Sequence, residues 1–177
     1  MDVRLTSFEI LDAATVGVQR SIQNMHNGAQ PKYGAGTAND WQLSIEGALG
    51  EKALAKYLGV YWSGKGVIGS PDVGEHDVRT SAHSEGRLIV HREDKDERFI
   101  WLLTGSHGAY MVRGGILAKD AKVERWWRDP TGKGRHAYFV PQDRLTHIYP
   151  KAKGFCVCGE YVEIGAINGS VLDRVAH

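Results

Sequence analysis

The hydrophobic period of this chain changes near Val60, and that change constrains the fold more than any other feature. The stretch WQLSIEGALGEKALAKYLG, residues 41–59, keeps its apolar residues on one helical stripe, with Asn39 or Asp40 as the cap and Gly59 as the stop. Beyond this point apolar residues recur at every second position, as they do in strands. A long helix followed by a sheet predicts an α/β protein.

The strand-like segments are separated by glycine-rich or charged turns, which favours a mostly antiparallel sheet built from hairpins. RFIWLL, residues 98–103, is almost continuously apolar, which is typical of a central strand covered on both faces. The acidic turn REDKDE, residues 92–97, is predicted to be a solvent-exposed hairpin tip. The predicted strands are 60–64, 76–81, 86–92, 98–105, 109–117 and 136–141, and further helices are predicted at 118–128 and 141–150.

Three residues of the long predicted helix indicate tight packing against it. Glu51 lies on its apolar stripe, and a carboxylate that faces inward needs a cationic partner or a metal. Gly47 and Gly50 each lower helix propensity by about 1 kcal/mol relative to alanine. We therefore expect another backbone to approach this part of the helix closely.

Length and composition predict a single domain over residues 1–177. The values of 42% hydrophobic and 24% charged residues are ordinary for a soluble globular protein. We expect an N-terminal helix and loop over 1–39, a core over 40–150 and a C-terminal extension over 151–177. The pattern over 6–26 predicts a surface helix. No apolar run approaches the ~20 residues that span a bilayer, and no secretory signal is visible, so we expect no membrane partner and a cytoplasmic location.

The segment SPDVGEHDVRTS, residues 70–81, has the residue types that cleavage of a phosphodiester requires. That reaction needs a divalent cation, and Mg²⁺ or Mn²⁺ binds carboxylate and carbonyl oxygens. Gly74 permits a sharp reversal between Asp72 and Asp77, so both carboxylates can converge. Because strand side chains alternate, Asp77 and Arg79 share one face while Val78 enters the core. The Val78 carbonyl is a candidate further ligand.

Glu51 is the third candidate carboxylate, provided that the helix packs behind the hairpin. Taken singly, each acidic residue also has an ordinary explanation as a turn or surface residue. The order of the three residues along the chain is what favours a metal site.

The helix GALGEKALAKYLG, residues 47–59, followed by PD, DxR and two apolar strands, resembles the PD-(D/E)xK nuclease superfamily. It resembles in particular the small phage-type endonuclease-like proteins, with a GxxGExAxAKxLG helix before the signature. The resemblance covers about residues 40–117. It implies a restriction-endonuclease-like αβββαβ core with a mixed central sheet flanked by helices. It also implies a phage-encoded, metal-dependent nuclease acting on DNA, with Glu51, Asp72 and Asp77 as metal ligands.

Arg79 stands where the signature usually has lysine, and this departure leaves a second function open. Arginine stays protonated and offers a planar fork, so it replaces an electrostatic role but not a proton-transfer role. The alternative is a catalytically inactive protein of the same fold that binds nucleic acid or sequesters a DNA-processing partner. The two functions differ in their dependence on metal.

Basic residues after the predicted core are candidates for contacts with nucleic acid, because phosphate is bound mainly by lysine and arginine. Trp126 and Trp127 lie among them and can stack on bases or belong to the core. The basic candidates are Lys122, Arg125, Arg128, Lys133 and Arg135.

Other residues bear on function more weakly. Cys156 and Cys158 favour free thiols over a zinc site completed by His136 or His147. His76 and His83 flank the hairpin and can titrate near neutrality. Oligomeric state is left open, with a homodimer as one candidate.

Overall fold

The computed structural model describes residues 1–28, 40–64, 70–130, 132 and 134–147, together with the backbone of strands at 153–155 and 161–163. The chain divides into two units, Met1–Thr146 and His147–His177. The larger unit holds the predicted helices and sheet, and the smaller one holds a strand pair. The expectation of one domain over residues 1–177 stays a prediction.

The larger unit begins with a strand and two long helices and continues as a series of strands. Its elements are β1 (Asp2–Arg4), α1 (Ser7–His26), α2 (Asp40–Leu58), β2 (His76–Ser81), β3 (Leu88–Val90), β4 (Phe99–Ser106), β5 (Ala109–Leu117), α3 (Ala118–Ala121), β6 (Trp127–Arg128) and β7 (Ala137–Val140). Two 3₁₀ turns cover Glu124–Trp126 and Gln142–Arg144, and β8 (Lys153–Phe155) pairs with β9 (Tyr161–Glu163) in the smaller unit.

Local sequence signals fix the ends of both long helices. Thr6 caps α1 through a capping box, in which its hydroxyl accepts from the Glu9 N–H and the Glu9 carboxylate accepts from the Thr6 N–H. Gly59, with φ +67°, ends α2 as predicted. The helices pack closely, because a Cβ on Gly17 of α1 would lie 2.6 Å from the Ile45 Cα of α2.

The main sheet has the strand order β1-β5-β4-β2. β2 runs parallel to β4, whereas β5 is antiparallel to both β4 and β1. A second sheet has the order β3-β7-β6 and is antiparallel throughout. The protein is therefore α/β, with a mixed sheet flanked by helices.

β4 lies at the centre of the packing, and the prediction that both of its faces are covered is confirmed. Trp101 and Leu103 face a core cluster shared with α2 and β5, whereas Ile100 and Leu102 face a second cluster shared with the β3-β7-β6 sheet and α3. The long helices α1 and α2 thus pack on one face of the main sheet, and the small sheet and α3 pack on the other.

Two strand predictions are wrong, because the residues concerned make contacts that the sequence does not reveal. Residues 60–64 form no strand, because the Val60 N–H closes the end of α2 on the Ala55 carbonyl and the Trp62 indole packs into the core. β3 forms only over Leu88–Val90 and joins the second sheet, so β2 pairs with β4 rather than in a hairpin with β3.

Two helix predictions are also corrected. In the segment 118–128, helix stops at Ala121, because the Lys122 ammonium is drawn towards the 92–97 turn and Trp127 pairs with Tyr138 in the second sheet. In the segment 141–150, only the short 3₁₀ turn from Gln142 forms within the described residues.

The two glycines of α2 differ in their surroundings. Gly50 packs directly on the Thr80 side chain of β2, whereas nothing lies within 4 Å of a Cβ built on Gly47. Of these two glycines only Gly50 has a close neighbour, and that neighbour is a side chain; the backbone that closely approaches α2 is that of α1, at Gly17 against Ile45. Within the described ranges, no helix combines the length and the apolar character needed to cross a membrane.

Candidate active site

An open cavity of about 260 Å³ lies where the start of β2 meets the turn between β3 and β4. Asp72, Asp77 and Arg79 all line it, so the structure brings together three of the predicted site residues. The other side of the cavity comes from a turn that the sequence interpretation left in solvent. The charged side chains of its wall include Asp72, Asp77, Arg79, Asp94, Lys95 and Arg98.

A two-residue turn positions the predicted pair of aspartates. The backbones of Val73 and His76 exchange hydrogen bonds of 2.9 Å in both directions, and Gly74 takes φ +58° between them. The next strand then alternates as predicted, with Val78 buried and Asp77 facing the cavity. The reversal predicted at this glycine is confirmed.

Asp72 is held against the backbone of β2, where its Oδ2 accepts a hydrogen bond of 3.0 Å from the Val78 N–H. Burial raises the pKa of Asp72 to about 6, and the nearby negative charges of Glu51 and Asp77 act in the same direction. The Val78 hydrogen bond and the Arg79 charge oppose this shift without cancelling it. The negative charge of ionised Asp72 is therefore only partly compensated by this hydrogen bond and by Arg79.

Asp77 has a similar environment. Burial raises its pKa, whereas the charges of Arg98 and Arg79 lower it. The Asp77 Oδ2 lies 3.6 Å from the Arg98 Nε, which is long for a charge-assisted hydrogen bond. The cavity thus contains two partly desolvated carboxyl groups with loosely placed cationic partners.

Arg79 links the two sides of the cavity. Its Nη2 donates to the Asp94 Oδ1 at 3.1 Å, and its Nη1 donates to the Val78 carbonyl at 3.2 Å. The same Nη1 lies 3.9 Å from the Asp72 Oδ2. The Val78 oxygen, predicted as a metal ligand, therefore already accepts a hydrogen bond from Arg79.

The turn over residues 91–98 supplies the residues that sequence reasoning missed. It was predicted to be an exposed hairpin tip, but Asp94 folds inward, where its Oδ2 accepts from the His91 N–H at 2.9 Å. Lys122 holds the turn in place, because its ammonium donates to the Asp94 carbonyl and to the Asp96 carboxylate, both at 2.6 Å. The acidic run gave no signal of this, because an exposed tip and an inward turn have the same composition.

Glu51 does not line the cavity. Its two oxygens accept a bidentate pair of hydrogen bonds from Arg20 of α1 at 2.6 and 2.8 Å, and the Trp62 indole N–H adds a third at 3.0 Å. The prediction that this buried carboxylate needs a partner is confirmed, and the partner comes from a helix whose inward-facing arginine the sequence interpretation did not use. Glu51 still lies close enough for its charge to act on Asp72.

The described ranges contain no group of three His, Cys, Asp or Glu side chains arranged to hold one metal ion. Asp72 and Asp77 share the cavity, while the third predicted ligand is paired with Arg20. Two of the three predicted ligand carboxylates, those of Asp72 and Asp77, therefore face the cavity. Two carboxylates are within the usual number for Mg²⁺ when water and substrate phosphate complete its shell.

The predicted nucleic-acid residues differ in their surroundings. Lys122 is committed to the 91–98 turn. Arg125 lies over the ring of Trp126, at 4.6 Å from its centroid. Arg128 and Arg135 are exposed. Lys133 lies outside the described residues.

His76 does not line the cavity and packs edge-on against Phe99 and Trp101, at ring-centroid distances of 5.9 and 6.1 Å. Burial lowers its pKa. The zinc alternative at Cys156 and Cys158 lies outside the described residues.

Comparisons of this chain with protein-family models, with curated proteins and with solved structures found no match in any of the three.

Proposed function

We propose that this protein is a metal-dependent nuclease that hydrolyses DNA phosphodiester bonds at the cavity of Asp72, Asp77 and Arg79. The observation that carries the proposal is that Asp72, Asp77 and Arg79 line one open cavity. Burial and two neighbouring carboxylates raise the pKa of Asp72, which supports it. Perturbed carboxyl groups that share an open cavity are typical of functional sites. The resemblance to phage-type nucleases makes the cytoplasm of a host cell the expected location.

Asp72 and Asp77 would hold Mg²⁺ or Mn²⁺, because a divalent cation relieves the repulsion between their partly buried charges. When bound, such a cation neutralises charge on the phosphate and lowers the pKa of water. The chain itself supplies orientation. The Val78 N–H fixes one Asp72 oxygen, and the position of Asp77 on β2 fixes the other carboxylate.

Arg79 and Arg98 are the residues that would meet the phosphate. Both line the cavity, and both remain cationic across the physiological range. Arg79 is already oriented by Asp94 and by the Val78 carbonyl, so its fork is pre-organised for an anionic ligand. Charge stabilisation by a fixed arginine does not require proton transfer, so the absence of the usual lysine does not prevent this role.

The test is cleavage of circular duplex, linear duplex and single-stranded DNA in Mg²⁺, in Mn²⁺ and in EDTA. Wild type is compared with Asp77→Asn, which keeps the shape of the side chain and removes its charge. The matched control is Asp143→Asn, because Asp143 is mostly exposed and lies outside the cavity lining. We expect at least a roughly 100-fold loss of cleavage in Asp77→Asn, the size typical of removing one electrostatic catalytic group.

Cleavage that survives both EDTA and Asp77→Asn would reject the proposal. Circular DNA separates the two modes of attack, because only an endonuclease cuts a substrate without ends.

A second function, binding of nucleic acid without cleavage, is favoured by one specific observation. Arginines accompany the acidic groups of this region, with Arg20 on Glu51, Arg98 near Asp77 and Arg79 on Asp94. Arginines that lie near these carboxylates would reduce the need for a metal cation when a polyanion binds. DNA binding in EDTA, with no cleavage in Mg²⁺ or Mn²⁺, would establish this function instead.

The candidate homodimer is supported by the outer face of α1. Apolar side chains recur there at the alternating spacing of three and four that two-helix coiled coils use, and Phe8 is 83% and Leu11 66% exposed. An antiparallel pair of α1 helices would bring Phe8 against Met25 and Leu11 against Ile22 of a second copy. The positions of the stripe are Phe8, Leu11, Thr15, Val18, Ile22 and Met25.

Light scattering after gel filtration over a concentration series tests the dimer. Leu11→Glu should give a monomer, and Gln19→Glu, on the same helix but off the stripe, should behave as wild type. A wild-type protein that stays monomeric at every concentration would reject the dimer.

A further inference from the structure

An aromatic and cationic group lies at the end of the small sheet, outside the cavity. The rings of Trp127 and His136 are stacked, with centroids 5.5 Å apart and an interplanar angle of 20°. The guanidinium of Arg92 lies 4.8 Å from the centroid of the Trp127 ring. We call these three residues the stacking group.

The strand register explains why the group forms. Trp127, Tyr138 and Val90 occupy one row across β6, β7 and β3. Arg92 and His136 lie just beyond the ends of β3 and β7 next to this row, and both contact the Trp127 ring. The row itself is mostly core, since Val90 is fully buried and Tyr138 nearly so. The stacking group therefore begins where the core ends and solvent starts.

The neighbouring pair of Arg125 and Trp126 differs from the stacking group in the exposure of its aromatic ring. That pair has a similar geometry, at 4.6 Å, but its tryptophan is only 8% exposed and belongs to the core. In the stacking group Trp127 is half-buried and both His136 and Arg92 are exposed. The exposed His136 ring is thus offered to a flat ligand, and the Arg92 cation lies on the same tryptophan.

The chain also connects the stacking group to the cavity. Arg92 and Asp94 belong to one turn, in which the Asp94 N–H donates to the His91 carbonyl. Residues two apart are separated by at most about 7 Å between their Cα atoms. Arg92 reaches out to Trp127 while Asp94 reaches into the cavity to Arg79. A nucleic-acid strand bound at the cavity would therefore pass close to the stacking group.

We propose that Arg92, Trp127 and His136 form a stacking site for the unpaired bases of single-stranded nucleic acid. Each base presents a flat face, so stacking on exposed rings is strong and tolerant of sequence, and the adjacent arginine attracts the phosphate. Bases of an intact duplex are stacked on one another and cannot reach the His136 ring. The site selects single-stranded over double-stranded ligand. Its role in choosing a cleavage substrate rests on the proposed nuclease function, whereas the binding does not.

The test is fluorescence anisotropy of a labelled oligothymidylate and of a labelled duplex of equal length, both in EDTA. We expect wild type to bind the single strand more tightly. His136→Ala and Arg92→Ala should each weaken single-strand binding by about tenfold, and should change duplex binding much less. Trp127→Leu should have a larger effect, and Trp127→Phe should restore much of the binding because it keeps a ring.

Two controls separate stacking from general charge and from unfolding. Arg4→Ala removes one exposed cation that lies outside the stacking group and should leave the preference for single strands intact. Tyr61→Ala removes an aromatic ring that is 87% exposed and lies outside the stacking group. Urea midpoints of all variants report whether the second core cluster has been disturbed, which matters for Trp127.

The outcomes distinguish this inference from the proposed function. Equal binding of single strand and duplex, no binding at all, or single-strand binding that is unchanged in His136→Ala and Arg92→Ala would each overturn the stacking site, whatever the cleavage assay shows. Selective loss in those two variants would support it even if no DNA is cut.

Discussion

The Arg20–Glu51 pair and the cavity of Asp72 and Asp77 both combine carboxylates with arginines, and both lie near the contact between α2 and β2. They differ in how fully hydrogen bonds and ion pairs compensate the charge of the carboxylates. Glu51 has three hydrogen bonds between 2.6 and 3.0 Å, two of them from one guanidinium. The cavity carboxylates lie 3.6 and 3.9 Å from their arginines, and burial raises the pKa of both.

This contrast indicates a division of labour. A buried carboxylate with a bidentate arginine and an indole donor has no remaining need for a ligand, so Glu51 holds the two helices together. A partly buried carboxylate with distant cations is responsive to an added charge, so Asp72 and Asp77 are the groups that a cation or a phosphate-bearing ligand would affect.

The largest expected effect comes from breaking the helix pair. Arg20→Met leaves the Glu51 carboxylate buried without its cation and should lower the free energy of unfolding by about 3–5 kcal/mol. Urea denaturation measures this. The double variant Arg20→Met with Glu51→Gln should recover much of the loss, because the neutral amide still accepts from Trp62.

The exposed pair of Arg4 and Asp2 provides the control for that experiment. Arg4→Met should change stability little, since both partners are mainly in solvent. A small effect of Arg20→Met, comparable with that control, would contradict a structural role for the pair.

A second prediction concerns the spacing between the two charged groups. Gly50 precedes Glu51, and Thr80 follows Arg79, so their contact sets how closely Glu51 approaches the cavity. Gly50→Ala forces a methyl against a stiff β-branched side chain and should cost about 1–3 kcal/mol in unfolding free energy. Gly47→Ala, in open space on the same helix, should instead gain up to about 1 kcal/mol.

Urea midpoints of the two glycine variants report opposite signs if this packing is right. In Gly50→Ala the pKa of Asp72 should also fall, because Glu51 moves away from it; carboxyl NMR titration would show this. Equal stability of the two alanine variants would show that the contact does not hold α2 in place.

The sequence predicts local features of the molecule well and long-range ones poorly. The helix over 6–26, the Gly59 stop, the reversal at Gly74 and the buried strand β4 all follow from residues close together in the chain. The parallel pairing of β2 with β4 and the second sheet do not, because periodicity specifies a strand but not its neighbour.

The same limit applies to the site. Asp77 and Arg79 are two residues apart on one strand, so strand geometry alone brings them to one face. Arg20 and Asp94 come from elements that carry no motif, and their roles depend on the packing of α1 on α2 and on the folding of an acidic turn inward. Sequence reasoning therefore found the half of the cavity that lies on one segment.

The smallest expected effect is a difference between the two charged groups in how the stability of the protein depends on pH. The pKa of Asp72 is raised from 3.8 to about 6 in the folded protein, so the folded state holds a proton there more tightly than the unfolded chain does. Its contribution to stability is complete below the lower value and is lost as the pH rises through the higher one. Because this carboxyl is about one third exposed, we expect the loss to be only about 1–2 kcal/mol. Urea midpoints between pH 4 and pH 7 should fall in wild type and fall less in Asp72→Asn, whose amide cannot ionise.

Glu9 provides the opposite control: its pairing with Lys56 lowers its pKa to about 2, so its stabilising charge is lost only as the pH falls from 4.5 towards that value. Mg²⁺ added at pH 7 should restore part of the lost stability in wild type but not in Asp77→Asn, since only the ionised pair attracts the cation. A wild-type midpoint that rises steadily over this range, with Asp72→Asn parallel to it, would show that the cavity carboxylates are as fully compensated as Glu51, and the contrast between the two groups would be lost.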